Sequence, residues 1–181
     1  MARGKNLDQL RLLEDGVLAE VVREGELMMA AQLAAATAAD QRGLTWAGFV
    51  LTIAIASIGA CATLAVKGDH LPLAIITGIL GVLMAISGFT AILSVRPRRF
   101  SIPGNRPENW LPAEWEKGQK QDLQQARIEQ ATCLNNQIDD NVALAEGAAG
   151  MMHTSMDLAA SGVLLAGIYV VGYATWLLTT R

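Results

Sequence analysis

Three stretches of this chain carry no charged side chain: Leu44 to Val66, Leu71 to Val95 and Leu158 to Thr180. A helix needs about 20 apolar residues to cross the hydrocarbon core of a bilayer. Each stretch is therefore long enough to span it with some tilt. The alternative, three buried helices of a soluble bundle, conflicts with the charged face that soluble helices normally keep. Lys67, Gly68, Asp69 and His70 join the first two spans, and so short a link forces a tight antiparallel hairpin. Pro72 falls in the first turn of the second span, where its missing N–H costs nothing.

Outside the spans the pattern is still helical. Apolar residues recur at Leu7, Leu10, Leu13, Val17, Val21, Met28, Ala31 and Ala35. They recur again at Ala131, Leu134, Ile138, Val142, Ala145, Ala149, Met152 and Met156. Steps of three, four and seven mark one face of a helix. No proline interrupts either stretch, so each is predicted to run into the span that follows it, with Gly16, Gly25, Gly43, Gly147 and Gly150 as candidate bends. The two amphipathic helices have similar lengths and are expected to pair as a parallel cytoplasmic stalk. A seam of alanine and methionine buries little area, and an isolated pair of such helices would be marginal. Self-association would supply the missing burial, so a homo-oligomer is expected.

The fold class that follows is an all-α membrane protein with three transmembrane helices, a tight hairpin plus a C-terminal span. Its parts are a cytoplasmic amphipathic helix (1–43), the hairpin (44–95, as spans 44–66 and 71–95) and a connector (96–119). A second amphipathic helix (120–157) and the third span (158–180) complete it.

The connector differs from everything around it. It holds four of the five prolines, a density that precludes a continuous helix. Phe100, Trp110 and Trp115 lie there among Arg96, Arg98 and Arg99. Amphipathic rings and basic side chains favour the headgroup region. Two readings stand side by side: an interfacial collar that binds membrane lipid, or an ordinary connector packed on the stalk. The arginines after the second span, with Arg42 before the first, place the N-terminus and the middle segment in the cytoplasm and the C-terminus outside. The N-terminus lacks the apolar core of a signal peptide, so the first span is expected to target the chain to a bacterial inner membrane.

Composition agrees with lipid as the solvent. Hydrophobic residues make up 52% of the chain and charged residues 17%, against roughly a quarter charged in soluble domains. A net charge of −3 gives no concentrated basic patch, so nucleic acid is not an expected partner. Cys61 and Cys133 lie in dissimilar surroundings and read as small filler residues. His153 and Asp157, one turn apart, could hold a proton or a metal, but a helix-surface contact is the simpler reading. Asp139 and Asp140 read as a solvated face. With no phosphate loop, nucleophile elbow or paired-cysteine motif, no enzyme activity, cofactor or metal is expected.

The spans contain no Asp, Glu, Lys, Arg or His, which argues against a pump or coupled transporter. A pore lined by hydroxyls stays open, with Thr52, Ser57, Thr63, Thr77, Ser87, Thr90, Ser94 and Ser161 as candidates. Small residues recur at four-residue spacing: Ala56 with Ala60, Ala74 with Gly78, Gly81 with Ala85, and Gly162 with Ala166. Such pairs let helices approach closely in lipid, either within one chain or between copies.

The order of parts, with AATAADQRGLTWAGF leading into a two-span hairpin and LSVRPRRF leaving it, resembles small bacterial membrane proteins. It is similar in layout to the two-span effector domains of nucleotide-signalled antiphage systems, the SLATT and Pycsar-effector-like groups. The resemblance covers roughly Leu27 to Arg99. It implies a non-enzymatic protein that oligomerises and compromises the inner membrane once triggered. The third span and the PGNRPENW segment are departures from that layout, and no nucleotide-sensing domain is recognisable. A partner docking on the cytoplasmic helices would then carry the trigger. The alternative is an accessory subunit of a larger membrane complex.

Overall fold

A computed structural model describes residues 7–68, 70–104 and 123–179. Trp110 and Trp115 lie outside the described residues. After a short 3-10 turn at Leu7–Leu12, the chain forms three helices: α1 (Asp15–Lys67), α2 (Leu71–Ser94) and α3 (Leu123–Thr179). All three are long and apolar enough to cross a membrane. As expected from the unbroken pattern, α1 and α3 each carry an amphipathic stretch and a span in one continuous helix. Gly25, Gly43, Gly147 and Gly150 lie inside them without ending the helix.

The helix ends have local causes. Asp15 puts a carboxylate in the first turn of α1 and Lys67 an ammonium in the last, each matching the helix dipole. Gly68 then adopts φ +73°, a left-handed position that glycine takes without a Cβ penalty. The His70 carbonyl accepts the first bonds of α2, from the N–H groups of Leu73 and Ala74. The hairpin turn is as tight as its four residues require.

The chain forms two compact units, Met1–Thr37 with Arg98–Ala145 and Ala38–Pro97 with Glu146–Arg181. In the second, α2 runs antiparallel to α1. Gly78 lies beside Cys61, Gly81 beside Ile58 and Ala54, Gly88 beside Val50 and Leu51, and Gly43 beside Val95. On another face α2 meets α3, where Gly162 lies against Leu80 and Leu83. Val50, Ala54, Met84 and Ala159 form the core where the three helices meet. Only 17, 28 and 11% of the residues in the most apolar windows of α1, α2 and α3 are buried. So much outward apolar surface is an aggregation liability in water and ordinary in lipid, where tails are as apolar as leucine.

In the first unit α1 and α3 run parallel around Val22, Met29, Ala131 and Leu134, with Leu10 and Ile138 against them. Here the predicted stripe is corrected. Val17, Val21 and Met28 are exposed, and Leu18, Val22 and Met29 take the seam instead. Ala31 and Ala35 are exposed too. On α3, Ala131 and Leu134 are buried as expected, whereas Val142, Ala145, Ala149 and Met156 face outward. Asn141 and Ser155 occupy the buried positions there, at 1% and 0% exposure.

Candidate functional site

Two buried or half-buried polar arrangements stand out; elsewhere Arg127 pairs with Asp15 and Gln130 donates to Glu26 between α1 and α3. The first joins all three helices of the second unit. The Ser87 hydroxyl donates to the Ser155 carbonyl at 2.7 Å, and the Ser155 hydroxyl donates to the Ser87 carbonyl at 2.8 Å. With both protons so placed, the Ser155 Oγ is free to accept from the Trp46 indole Nε1–H at 3.0 Å. Both serines are fully buried, so every polar atom of the node needs its partner. The two serines stand in for bulkier residues, which lets α2 and α3 approach closely enough for each hydroxyl to reach the other helix's backbone.

The second arrangement pins the connector to α3 in the first unit. The Asn141 carboxamide accepts from the Ser101 N–H at 2.9 Å and donates to the Ser101 carbonyl at 3.1 Å. One side chain thus satisfies both backbone polar groups of Ser101. Arg98 is half-buried and donates to the Leu144 carbonyl at 2.9 Å. Arg96, Arg99 and Ile102 face outward, and Phe100 is half-buried. Replacing Asn141 with alanine should free the Ser101 N–H and raise its hydrogen-exchange rate by about one to two orders of magnitude, reflecting ~1–3 kcal/mol of lost bonding. Unchanged protection of that amide would show that the clamp contributes nothing.

The small-residue pairs separate into two groups. Ala74, Gly81 and Gly162 are buried, and Gly78, Ala85 and Ala166 are half-buried, all within the bundle. Ala56 and Ala60 face outward. The hydroxyl candidates for a pore are mostly committed to their own helices. Thr52, Thr63 and Thr90 donate to carbonyls one turn back. Thr77 does the same, while Ser94 bonds the Ala91 carbonyl. Ser161 is exposed and Ser57 half-buried. Sequence reasoning named Ser87 only as a pore liner and did not find Trp46, Asn141 or Ser155. The signal available for the last two was their seven-residue register with Leu134.

Among the described residues no group of three or more His, Cys, Asp and Glu is placed to hold a metal ion. His153 and Asp157 are both exposed, and both cysteines carry free thiols. On the outer face of α1, Arg23 donates to Glu20 and Glu24. Its hydrogen bond holds the Glu20 carboxyl below the usual carboxylate range. The fully exposed position makes this a solvated ion pair.

An all-helical protein with three lipid-length helices, held by interhelical polar bonds and small-residue contacts, is by class an integral membrane protein. The family model of the Pycsar effector protein domain, PycTM, matches residues 28–178, and the chain belongs to that family, which marks it as an antiphage membrane effector. The match runs through the connector and α3, so the third helix, expected to be a departure, lies within the family's own domain. No curated protein and no solved structure matches the chain.

Proposed function

We propose that this protein is a non-enzymatic effector of the bacterial inner membrane. It self-associates and opens or disrupts the bilayer when its cytoplasmic helices receive a signal. The observation that carries the reading is the pairing of family membership over residues 28–178 with a bundle whose apolar windows are largely unburied. A helix bundle so open to its surroundings has surface left for other copies. The committed hydroxyls of Thr52, Thr63, Thr77 and Thr90 favour a path made between copies or through disturbed lipid over a polar channel inside one chain.

The exposed stripe of Val17, Val21 and Met28 supports control through the amphipathic helices. It is an apolar face in the part of α1 that carries Glu20, Arg23 and Glu24, and so lies outside the charge-free span. A docking protein, or a further copy, would cover it. Anionic lipid is the partner proposed for the outward arginines Arg96 and Arg99, and the N-terminus is proposed to be cytoplasmic.

The test is release of a trapped dye from liposomes holding the purified full-length chain, alone and with the products of neighbouring genes. Release above that of empty liposomes in at least one condition is expected. Tight liposomes in every condition, with stoichiometric foreign subunits in the native mass, would instead favour an accessory subunit of a larger complex.

A further inference from the structure

The hairpin carries an apolar groove that its own bundle leaves empty. It measures about 450 Å³, with Cys61 and Ala65 of α1 and Ala74 and Gly78 of α2 among its small lining residues and Ile75 and Val82 beside them. The groove lies on the hairpin alone, since no residue of α3 lines it. Meanwhile α3 presents a bare ridge. Leu164, Ile168 and Val171 are 65, 71 and 64% exposed. Their spacing of four and three puts them on one face of the helix. That face lies opposite Ser155, Ala159 and Gly162, the buried positions of α3 in the second unit.

Groove and ridge stand at one level of the bundle. Gly162 touches Leu80 and Leu83, and further along Tyr173 meets His70, its hydroxyl 3.3 Å from Nδ1. Between those two contacts α3 runs from 162 to 173 while α2 runs from 83 back to 70. The ridge therefore faces the same depth as the groove's α2 residues. Copies sharing one bilayer are held at a common depth, so a ridge and a groove at that depth meet by lateral diffusion alone. We infer that the occupant of the groove is the Leu164–Ile168–Val171 ridge of a second copy. The contact is head-to-tail: ridge and groove lie on different faces of one chain, so each copy keeps a free ridge or groove for the next. Such a contact builds rings or open chains where a two-fold contact stops at pairs. Close approach over Gly78 and Ala74, with branched side chains filling the notch, is the van der Waals packing that drives association in lipid.

This inference rests on the self-association in the proposed function and supplies its interface. The native thiol of Cys61 provides the test. In native membranes, the full-length chain with Cys133→Ser and Leu164→Cys is oxidised with copper phenanthroline. Gly78 marks the depth of Cys61, and Leu164 stands near that depth on α3. A ladder of dimers, trimers and larger species is expected, and Ala65→Phe, which fills the groove, should abolish it while the protein stays in the membrane fraction. A second pair, Ile75→Cys with Ile168→Cys on a Cys61→Ser and Cys133→Ser background, should give the same ladder if the first variant misfolds. Monomers alone, as expected of a groove filled by a lipid chain, would overturn the interface. So would a product that stops at the dimer. A ladder in liposomes that never leak would leave the interface standing and sink the effector reading. Leakage without a ladder would do the reverse.

Discussion

Gly81→Leu should take the hairpin apart. A Cβ at Gly81 would stand 3.2 Å from the Ile58 backbone N and 3.3 Å from the Ala54 carbonyl O. Backbone atoms of a continuous helix cannot swing aside as the end of a side chain does. Alanine alone should cost ~1–3 kcal/mol, the usual range for overpacking a tight core, and leucine more, because its branch has no room between the helices. At Gly88 the atoms met first are the Leu51 side chain, which can rotate, so Gly88→Ala should cost less than Gly81→Ala. Thermal unfolding in mild detergent, followed by circular dichroism, reads the ranking. Equal stability of the Gly81 and Gly88 variants would show that α1 and α2 do not touch as described.

Ser155→Val should loosen α3 from the hairpin. It removes the acceptor of the Trp46 indole N–H and the donor to the Ser87 carbonyl. Interhelical bonds in membranes are worth about 0.6 kcal/mol on average and up to ~1.7, so losing two should cost roughly 1–3 kcal/mol. Ser87→Ala removes the remaining donor to the Ser155 carbonyl. Because the two serines serve each other, the double variant should cost less than the sum of the singles. Strict additivity would mean that the two bonds act independently. Trp46 fluorescence gives a second reading, since the indole loses its partner in Ser155→Val and keeps it in Ser87→Ala.

The spans and the hairpin were legible in the sequence because their signal is local: no charge for more than six turns, then a glycine and a proline at the turn. The amphipathic seam was legible in phase at Leu10, Ala131 and Leu134, but from Val17 to Met28 on α1 only in period. Val17, Val21 and Met28 are spaced like Leu18, Val22 and Met29, and the doublets Val21-Val22 and Met28-Met29 satisfy both readings equally. Periodicity cannot choose between them; the packing of Leu134 beside Gly25 does. The polar node and the clamp were hidden for a different reason. A search for apolar residues passes over Asn141 and Ser155, which sit at seam positions and are satisfied by groups distant in sequence. The connector, read either as an interfacial collar or as a segment packed on the stalk, has its arginines in different roles: Arg98 is taken up by the Leu144 carbonyl, while Arg96 and Arg99 face outward.

That division matters for function. The proposed action on the membrane would need both a held structure and surface available to other copies or lipid. Here the described helices are held by apolar seams, small-residue contacts, a three-helix polar node, a connector clamp and the polar contacts of Arg127 with Asp15 and Gln130 with Glu26. The available surface is the outward face of three apolar helices.

The most direct test of lipid as the solvent for those helices is a nitroxide placed at Ile55, Ile86 or Leu165, each outward-facing on α1, α2 or α3, with the protein in liposomes. Power saturation then compares access of oxygen, which concentrates in the bilayer, with access of a water-soluble nickel chelate. The expected result is high oxygen and negligible nickel access at all three positions. Nickel access matching that of an exposed site such as Val17 would place these helices in water and contradict the membrane architecture on which every functional statement rests.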